Sequence, residues 1–365
     1  MKLLDYCINI TDGTHSTVID GPNTDYYLLS CKNVKDGKIE ITNTDRTISE
    51  STLLSLRKRT NLDINDVVIT SVGTIGEVAT IKQFPNYEFQ RSVALLKPNI
   101  DKILPKYLEY YLISRRGQGE IKSRIKGAAQ PCLFLNDIKN LEINAHKYDE
   151  QQHIVNTIGS VDDLIEKLES KFNKLEKNIL LIFKNYESKT SSSFKDVFQC
   201  FNGGTFESKY YVSSSKNKLI TIKNVDDSGF NTSSVSFLSE NKADRKYLLE
   251  LGDILLTMTG NIGRTGIVDE NDCYLNQRVL KLNCISKAYL YSYLVTYKSD
   301  IITLGKGTAQ LNLSLEDLQN LSVHNSLDDI SMFNKYDSLF VSLLNIKMQI
   351  KKLKQEKSLL LSKYF

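Results

Sequence analysis

Ile64-Asn65-Asp66-Val67-Val68-Ile69-Thr70, followed by Gly73-Thr74-Ile75-Gly76, is written twice in this chain. It returns as Leu251-Gly252-Asp253-Ile254-Leu255-Leu256-Thr257, followed by Gly260-Asn261-Ile262-Gly263. Each copy reads as a turn entering a short apolar strand that stops at a second turn. Other segments recur around it in the same order. Asp12-Gly13-Thr14 returns as Gly203-Gly204-Thr205, Lys32-Asn33-Val34 as Lys223-Asn224-Val225, and Gln90-Arg91 as Gln277-Arg278. Gly127-Ala128-Ala129-Gln130 returns as Gly307-Thr308-Ala309-Gln310. The order is kept while the offset drifts, as happens when loops gain and lose residues between two copies of one unit. A period near half the chain means a duplicated domain, because solenoid repeats run at roughly 20–50 residues.

At 365 residues the chain has room for two such units with connectors, each with its own core. Its 41% hydrophobic and 25% charged content are those of an ordinary globular protein. A formal net charge of +4 permits a polyanionic partner without demanding one. Six cysteines without a C-x-x-C spacing suit buried reduced thiols. The apolar runs fall short of a membrane span and Met1-Lys2-Leu3-Leu4 lacks a targeting segment, so the expected location is cytoplasmic, away from any membrane.

Each copy ends in a long helical stretch. Ile154, Ile158, Val161, Ile165, Leu168, Phe172, Leu175, Ile179, Ile182 and Tyr186 alternate at spacings of four and three, the seam of a coiled coil. A helix of about 40 residues would be roughly 60 Å long. Tyr336, Leu339, Leu343, Ile346, Ile350, Leu353, Leu360 and Tyr364 repeat the pattern, with Lys357 the one polar residue on the stripe. Neither stripe can stay exposed, and each is the other's natural cover. The expected fold class is α+β: two similar mixed α/β heads separated by two long antiparallel coiled-coil helices, a pseudo-two-fold dumbbell. The divisions are 1–148 (first head), 149–190 (first helix), 191–327 (second head) and 328–365 (second helix). Within the heads, Tyr107–Leu112 and Tyr289–Leu294 read as helical.

Catalytic signatures are absent from the sequence. None of the five prolines is adjacent to another, which removes the Asn/Asp-Pro-Pro-aromatic motif of an amino-methyltransferase. No G-x-G-x-x-G or G-x-x-x-x-G-K-[ST] loop occurs, and His15, His146, His153 and His324 lack metal-ligand spacing. Asp162-Asp163 upstream of Glu169-Ser170-Lys171 looks nuclease-like but lies within the heptad helix. Binding is therefore expected, not catalysis, and no catalytic or metal-ligating residue is assigned.

The binding candidates fall into two groups. Gly73, Gly76, Gly260 and Gly263 suit either plain tight turns or a close approach of phosphate or base edge to exposed backbone N–H groups. Arg91 and Arg278 can pair with guanine, or they can be scaffold kept in both copies. Lys126 and Lys306 flank the Gly-x-Ala-Gln loops and suit phosphate contacts. Segments that differ between copies are better candidates for specificity. These are Arg46, Arg57-Lys58-Arg59 and Arg115-Arg116 in the first copy, and Arg245-Lys246 and Arg264 in the second.

Two diverged modules with strand-Gly-x-x-Gly and Gly-x-Ala-Gln features, each ending in a long helix, resemble the specificity subunit of type I restriction-modification systems. Gly127-Ala128-Ala129-Gln130-Pro131 and the helix start Asp149-Glu150-Gln151-Gln152-His153-Ile154 look like that family's recurring segments. The second copy departs with Leu311 after Gln310 and with Asp328-Asp329-Ile330-Ser331-Met332-Phe333. The resemblance implies a non-catalytic subunit whose heads each read half of a bipartite, asymmetric site in double-stranded DNA. It implies helices that set the spacer and dock methyltransferase (modification) subunits, with restriction subunits completing the complex. S-adenosylmethionine, ATP and Mg²⁺ would belong to those partners. A coiled-coil adaptor that binds proteins, and the specificity subunit of a related type II system, are the alternatives.

Overall fold

A computed structural model describes residues 1–21, 24–127, 129–186, 190–307 and 311–365. The chain divides into two units, Met1–Leu164 with Lys354–Phe365, and Ile165–Leu353.

In the first unit, Cys7–Asp12, Val93–Pro98, Val67–Thr70 and Val78–Thr80 form an antiparallel sheet in that order. The strand Val67–Thr70 is buried along its whole length, and strand alternation splits its side chains between two cores. Val67 and Ile69 join Leu96, Tyr107, Leu108 and Ile158 on one face. Val68 joins Leu95, Phe89 and Leu29 on the other. Each such full burial contributes about 1.5–3 kcal/mol relative to exposure. A smaller layer, with Tyr27–Leu29 parallel to Tyr87–Phe89 and antiparallel to Arg46–Thr47, covers the second face.

The second unit repeats this arrangement with Gln199–Asn202, Val279–Asn283, Ile254–Thr257 and Thr265–Ile267. Ile254 and Leu256 face one core and Leu255 the other. A buried aspartate at the strand start is neutralised in both units, Asp66 by Lys97 at 2.9 Å and Asp253 by Lys281 at 3.0 Å. The predicted helices of the heads are present as Pro105–Ile113, which has proline at its first turn, and Lys287–Thr296, capped by Ser286.

The first long helix runs Tyr148–Lys184, 37 residues. Gln151 pins its start: its side-chain amide accepts from Leu104 N–H at 3.0 Å and donates to the carbonyls of Lys102 and His146. The second helical stretch comes in parts. Leu327–Phe333 opens with a Ser326/Asp329 capping box, a 3₁₀ turn follows at Asn334–Tyr336, and a helix then runs Asp337–Tyr364. Phe333 sits among Phe183, Tyr186 and Tyr289, and the Asp337 carboxylate accepts from Ser286 and from the Ala288 N–H at the start of helix Lys287–Thr296. In the first unit Lys357 reaches Asp162, and the Tyr364 ring meets His153. Residue numbers thus rise along one helix as they fall along the other, so the pairing is antiparallel.

In the second unit Lys351 bridges Asp269 at 2.8 Å and Glu270, which also takes Lys218 at 2.9 Å. Partial burial works against the Glu270 charge, but Lys351, Thr232 and Lys218 outweigh it and hold the carboxyl at about 2, down from 4.5. A depressed carboxyl contributes stability above its unfolded value and loses it as pH falls through the folded one. Acidification from about 4.5 to about 2 should therefore weaken this unit. Glu270→Gln should flatten that part of the stability curve, read as urea midpoint against pH. An unchanged acid limb in the variant would contradict the assignment.

Candidate nucleic-acid interface

Antiparallel order puts the end of Cys7–Asp12, the start of Val93–Pro98 and the end of Val67–Thr70 side by side, so three recurring segments meet at one end of the sheet. Gly13 N–H donates to Val93 O at 3.0 Å, Thr14 N–H to Phe89 O at 2.8 Å, and Arg91 N–H to Thr14 O at 3.0 Å. A Cβ on Gly13 would lie 2.1 Å from Phe89 O, so only glycine permits this approach. In the second unit Gly204 N–H donates to Leu275 O at 2.9 Å and Gln277 N–H to Gly204 O at 3.0 Å. A Cβ on Gly203 would be 2.3 Å from Asn276 C.

These contacts correct the pairing of Gln90-Arg91 with Gln277-Arg278. Thr14 bridges Gln90 where Gly204 bridges Asn276. Ser71 N–H donates to Ser92 O where Met258 N–H donates to Arg278 O. Asn276 thus stands in the place of Gln90, Gln277 in that of Arg91, and Arg278 in that of Ser92. The recurring dipeptide is displaced by one residue between units, and so is the glycine turn, since Thr14 answers to Gly204 and Gly13 to Gly203; both arginines are exposed.

The second glycine of each Gly-x-x-Gly turn is tied back to the strand that enters it. Gly73, Gly76, Gly260 and Gly263 have φ of 78, 92, 74 and 81°, the region glycine favours. Gly76 N–H donates to Thr70 O, Gly263 N–H to Thr257 O, and Gly260 N–H to Leu311 O. The buried Thr70 hydroxyl donates to Thr74 O and accepts from Glu77 N–H; Thr257 does the same with Asn261 O and Arg264 N–H. Beside each turn, Lys126 bridges Cys132 and Lys306 bridges Asn312, closing the Gly-x-Ala-Gln loops. Ala128 and Thr308-Ala309-Gln310 lie outside the described residues. Lys126 rests on Asp137 at 2.7 Å and Lys306 on Asp317 at 2.9 Å.

The remaining basic candidates separate by partner. Arg57, 15% exposed, holds Glu88, 1% exposed, at 2.6 Å and also donates to the carbonyls of Pro85 and Tyr87. Burial pushes the Glu88 carboxyl above its ordinary value, with Arg57 and Thr60 opposing. Arg46 rests on Asp20 at 2.6 Å, and Arg264 on Asp227 at 2.6 Å. Arg59 clasps the glycine turn through Asp12 Oδ1 at 2.9 Å and Gly13 O at 2.7 Å. Lys58, Arg115, Arg116, Arg245 and Lys246 are exposed. Arg116 lines a cavity of about 330 Å³ with Tyr111, His146, Lys147 and Phe365.

In the second unit Lys246, already a sequence candidate, stands beside aromatic rings and two further lysines that the sequence reading left out. Tyr247 packs edge-on against Phe206 and lies where a Cβ on Gly204 would be 2.7 Å from its ring. Lys246 covers Tyr247 at 5.4 Å, and Lys209 and Lys242 cover Tyr210 at 4.9 and 4.7 Å. Two runs, Lys209-Tyr210-Tyr211 and Arg245-Lys246-Tyr247, carry the signal of this cluster in the sequence. Interleaved cations and aromatic faces suit both phosphates and bases.

Residues 22–177 and 186–325 both match the family description "Type I restriction modification DNA specificity domain". The specificity subunit of the type I restriction enzyme EcoBI from Escherichia coli is 28% identical over 146 residues, 40% of this chain and 30% of that protein. The MjaIX specificity subunit from Methanocaldococcus jannaschii is 30% identical over 146 residues, 39% of this chain and 31% of that protein. The chain thus spans about a third of the length of these curated relatives. The S subunit of a type I restriction-modification system from M. genitalium shares the fold, with a TM-score of 0.58 and 18% identity over 100% of this chain and 95% of that one.

Proposed function

The chain belongs to the type I restriction modification DNA specificity domain family, and from that premise we infer that it is the non-catalytic DNA-reading subunit of a type I restriction-modification complex. Each head reads one half of a bipartite, asymmetric site in duplex DNA, and the long helices set the spacer and dock methyltransferase subunits. Restriction subunits complete the assembly, and S-adenosylmethionine, ATP and Mg²⁺ are held by those partners. On this reading residues 1–148 and 191–327 are the target-reading heads.

One observation carries the reading: the same loop-built sheet end occurs in both units, with different side chains at equivalent places. Arg91 answers to Gln277 and Ser92 to Arg278. A shared frame presenting different donors is what two unlike half-sites require, because base edges are told apart by donor and acceptor pattern.

The test uses the complex with its methyltransferase. Arg91→Ala and Arg278→Ala should each weaken binding by about 1–3 kcal/mol and relax specificity in one half-site only. Lys246→Ala, in the basic–aromatic cluster, should instead weaken binding uniformly across sequences and reduce the salt slope by about one. Binding that shows no salt dependence, or arginine variants that leave both half-sites unchanged, would count against DNA reading by these faces.

A further inference from the structure

The apolar stripes of the two long helices carry one polar residue at a seam position, Lys357, and the structure shows what it meets. Lys357 Nζ lies 2.6 Å from Asp162 Oδ1, and their side chains are only 18% and 14% exposed. The same carboxylate accepts from the Tyr110 hydroxyl at 2.8 Å and has Lys106 Nζ at 3.6 Å. Lys106 in turn holds Glu109 at 2.5 Å, and Glu109 accepts from the Thr80 N–H of the sheet at 2.9 Å. One polar chain therefore runs from the sheet through helix Pro105–Ile113 to both long helices. Burial acts against the Asp162 charge, yet Lys357 and then Lys106 and Tyr110 hold the carboxyl below its usual range.

Among the described residues, the second unit joins its helices to the head through different side chains. There Glu176 of the first long helix takes the Tyr291 hydroxyl, while Lys347 and Lys351 of the second go to Asp269. Ser292 follows Tyr291 as Tyr110 follows Glu109, and its hydroxyl is buried without a hydrogen-bond partner. The two ends of the helix pair are thus coded differently.

We propose that Asp162 and Lys357 fix the register of the two long helices, and through it the spacer length that the heads accept. The second half of this rests on the DNA-reading role inferred above; the first half does not. Ile154, Ile158, Leu360 and Leu361 present similar apolar surface, so a slide by one heptad would cost the seam little. A buried charge pair tolerates no such slide, because each partner would be left bare. Asp162 and Lys357 are positioning residues that touch no base. The Asp162-Asp163 pair, which resembles a nuclease fragment in sequence, has this structural use for its first member.

The experiment compares Lys357→Asp, Asp162→Lys and the double exchange in the complete complex. Register is read by disulfide trapping, pairing Tyr364→Cys with either His153→Cys, its neighbour here, or Ser160→Cys one heptad along. Spacer choice is read on duplexes with fixed half-sites and graded spacers. Each single reversal should lose the 153–364 cross-link and the preference for one spacer, and the double exchange should restore both. Should the reversals fail to fold, Asp162→Asn with Lys357→Met removes the pair without baring a charge and should show the same two losses. Retention of the 153–364 cross-link in that neutral variant overturns the register role. A shifted cross-link with an unshifted spacer overturns the link to spacing. A shifted cross-link in a chain that reads no DNA upholds the register role and refutes the DNA-reading role instead.

Discussion

Arg57→Met is expected to destabilise the first unit by about 3–5 kcal/mol, the cost of leaving a buried charge without its partner. The size follows from Glu88, which is almost wholly enclosed and relies on Arg57 and the Thr60 hydroxyl. A loss of that order is a large fraction of a domain's usual stability, about 5–15 kcal/mol. Arg57→Met combined with Glu88→Leu should recover most of it, because matched apolar replacements of buried ion pairs are often neutral. The sign with pH is also fixed. Without Arg57 the Glu88 carboxyl rises further above its unfolded value, so the deficit should be smallest in acid and grow as pH rises through the folded value. Urea unfolding of the single and double variants measures both effects. An Arg57→Met chain of native stability that has lost DNA affinity would show instead that Arg57 is a DNA contact.

Lengthening both long helices by seven residues should abolish recognition of the native site. The insertions go between Leu164 and Ile165 and between Leu353 and Lys354, where the chain passes from one unit to the other. A whole heptad in each helix keeps the seam in phase. Seven residues add about 10 Å at 1.5 Å each, or about three base pairs at 3.4 Å per step. Native spacing would then let only one head engage. Since specific complexes bind typically 10³–10⁷ times tighter than non-specific ones, losing half of that free energy should cost about 30- to 3,000-fold. Sites that regain methylation should keep both half-sites and carry the longer spacer, more weakly, because three base pairs also turn the second half-site by roughly a third of a turn. Methylome sequencing that finds the original spacer retained would rule out a spacing role for the helices.

Much of the fold is legible in the sequence because it rests on local rules. Unbroken apolar runs marked the strands Val67–Thr70 and Ile254–Thr257, and glycine spacing marked the turns that follow them. Heptad spacing marked the long helices. Facts that depend on distant partners were not legible. Arg57-Lys58-Arg59 reads as one basic patch, yet Arg57 is turned inward by a glutamate far along the chain, and Arg59 is tied to the Gly13 turn. Gln90-Arg91 and Gln277-Arg278 match in letters, but the hydrogen-bond register places them one residue apart, and no local pattern reveals that slip.

The first unit draws its last twelve residues, Lys354–Phe365, from beyond the second unit in sequence, and this has a consequence for biosynthesis. A ribosome making about 5–20 residues per second needs roughly 10–40 s to pass from Leu164 to Lys354. During that interval Ile154 and Ile158 wait for Leu360 and Leu361, and Asp162 waits for its lysine. The second unit, contiguous in sequence, has all its parts first. Of the two units, the one whose synthesis begins earlier is therefore the one completed later, and the nascent chain carries an uncovered apolar seam from Ile154 until Leu360 is made.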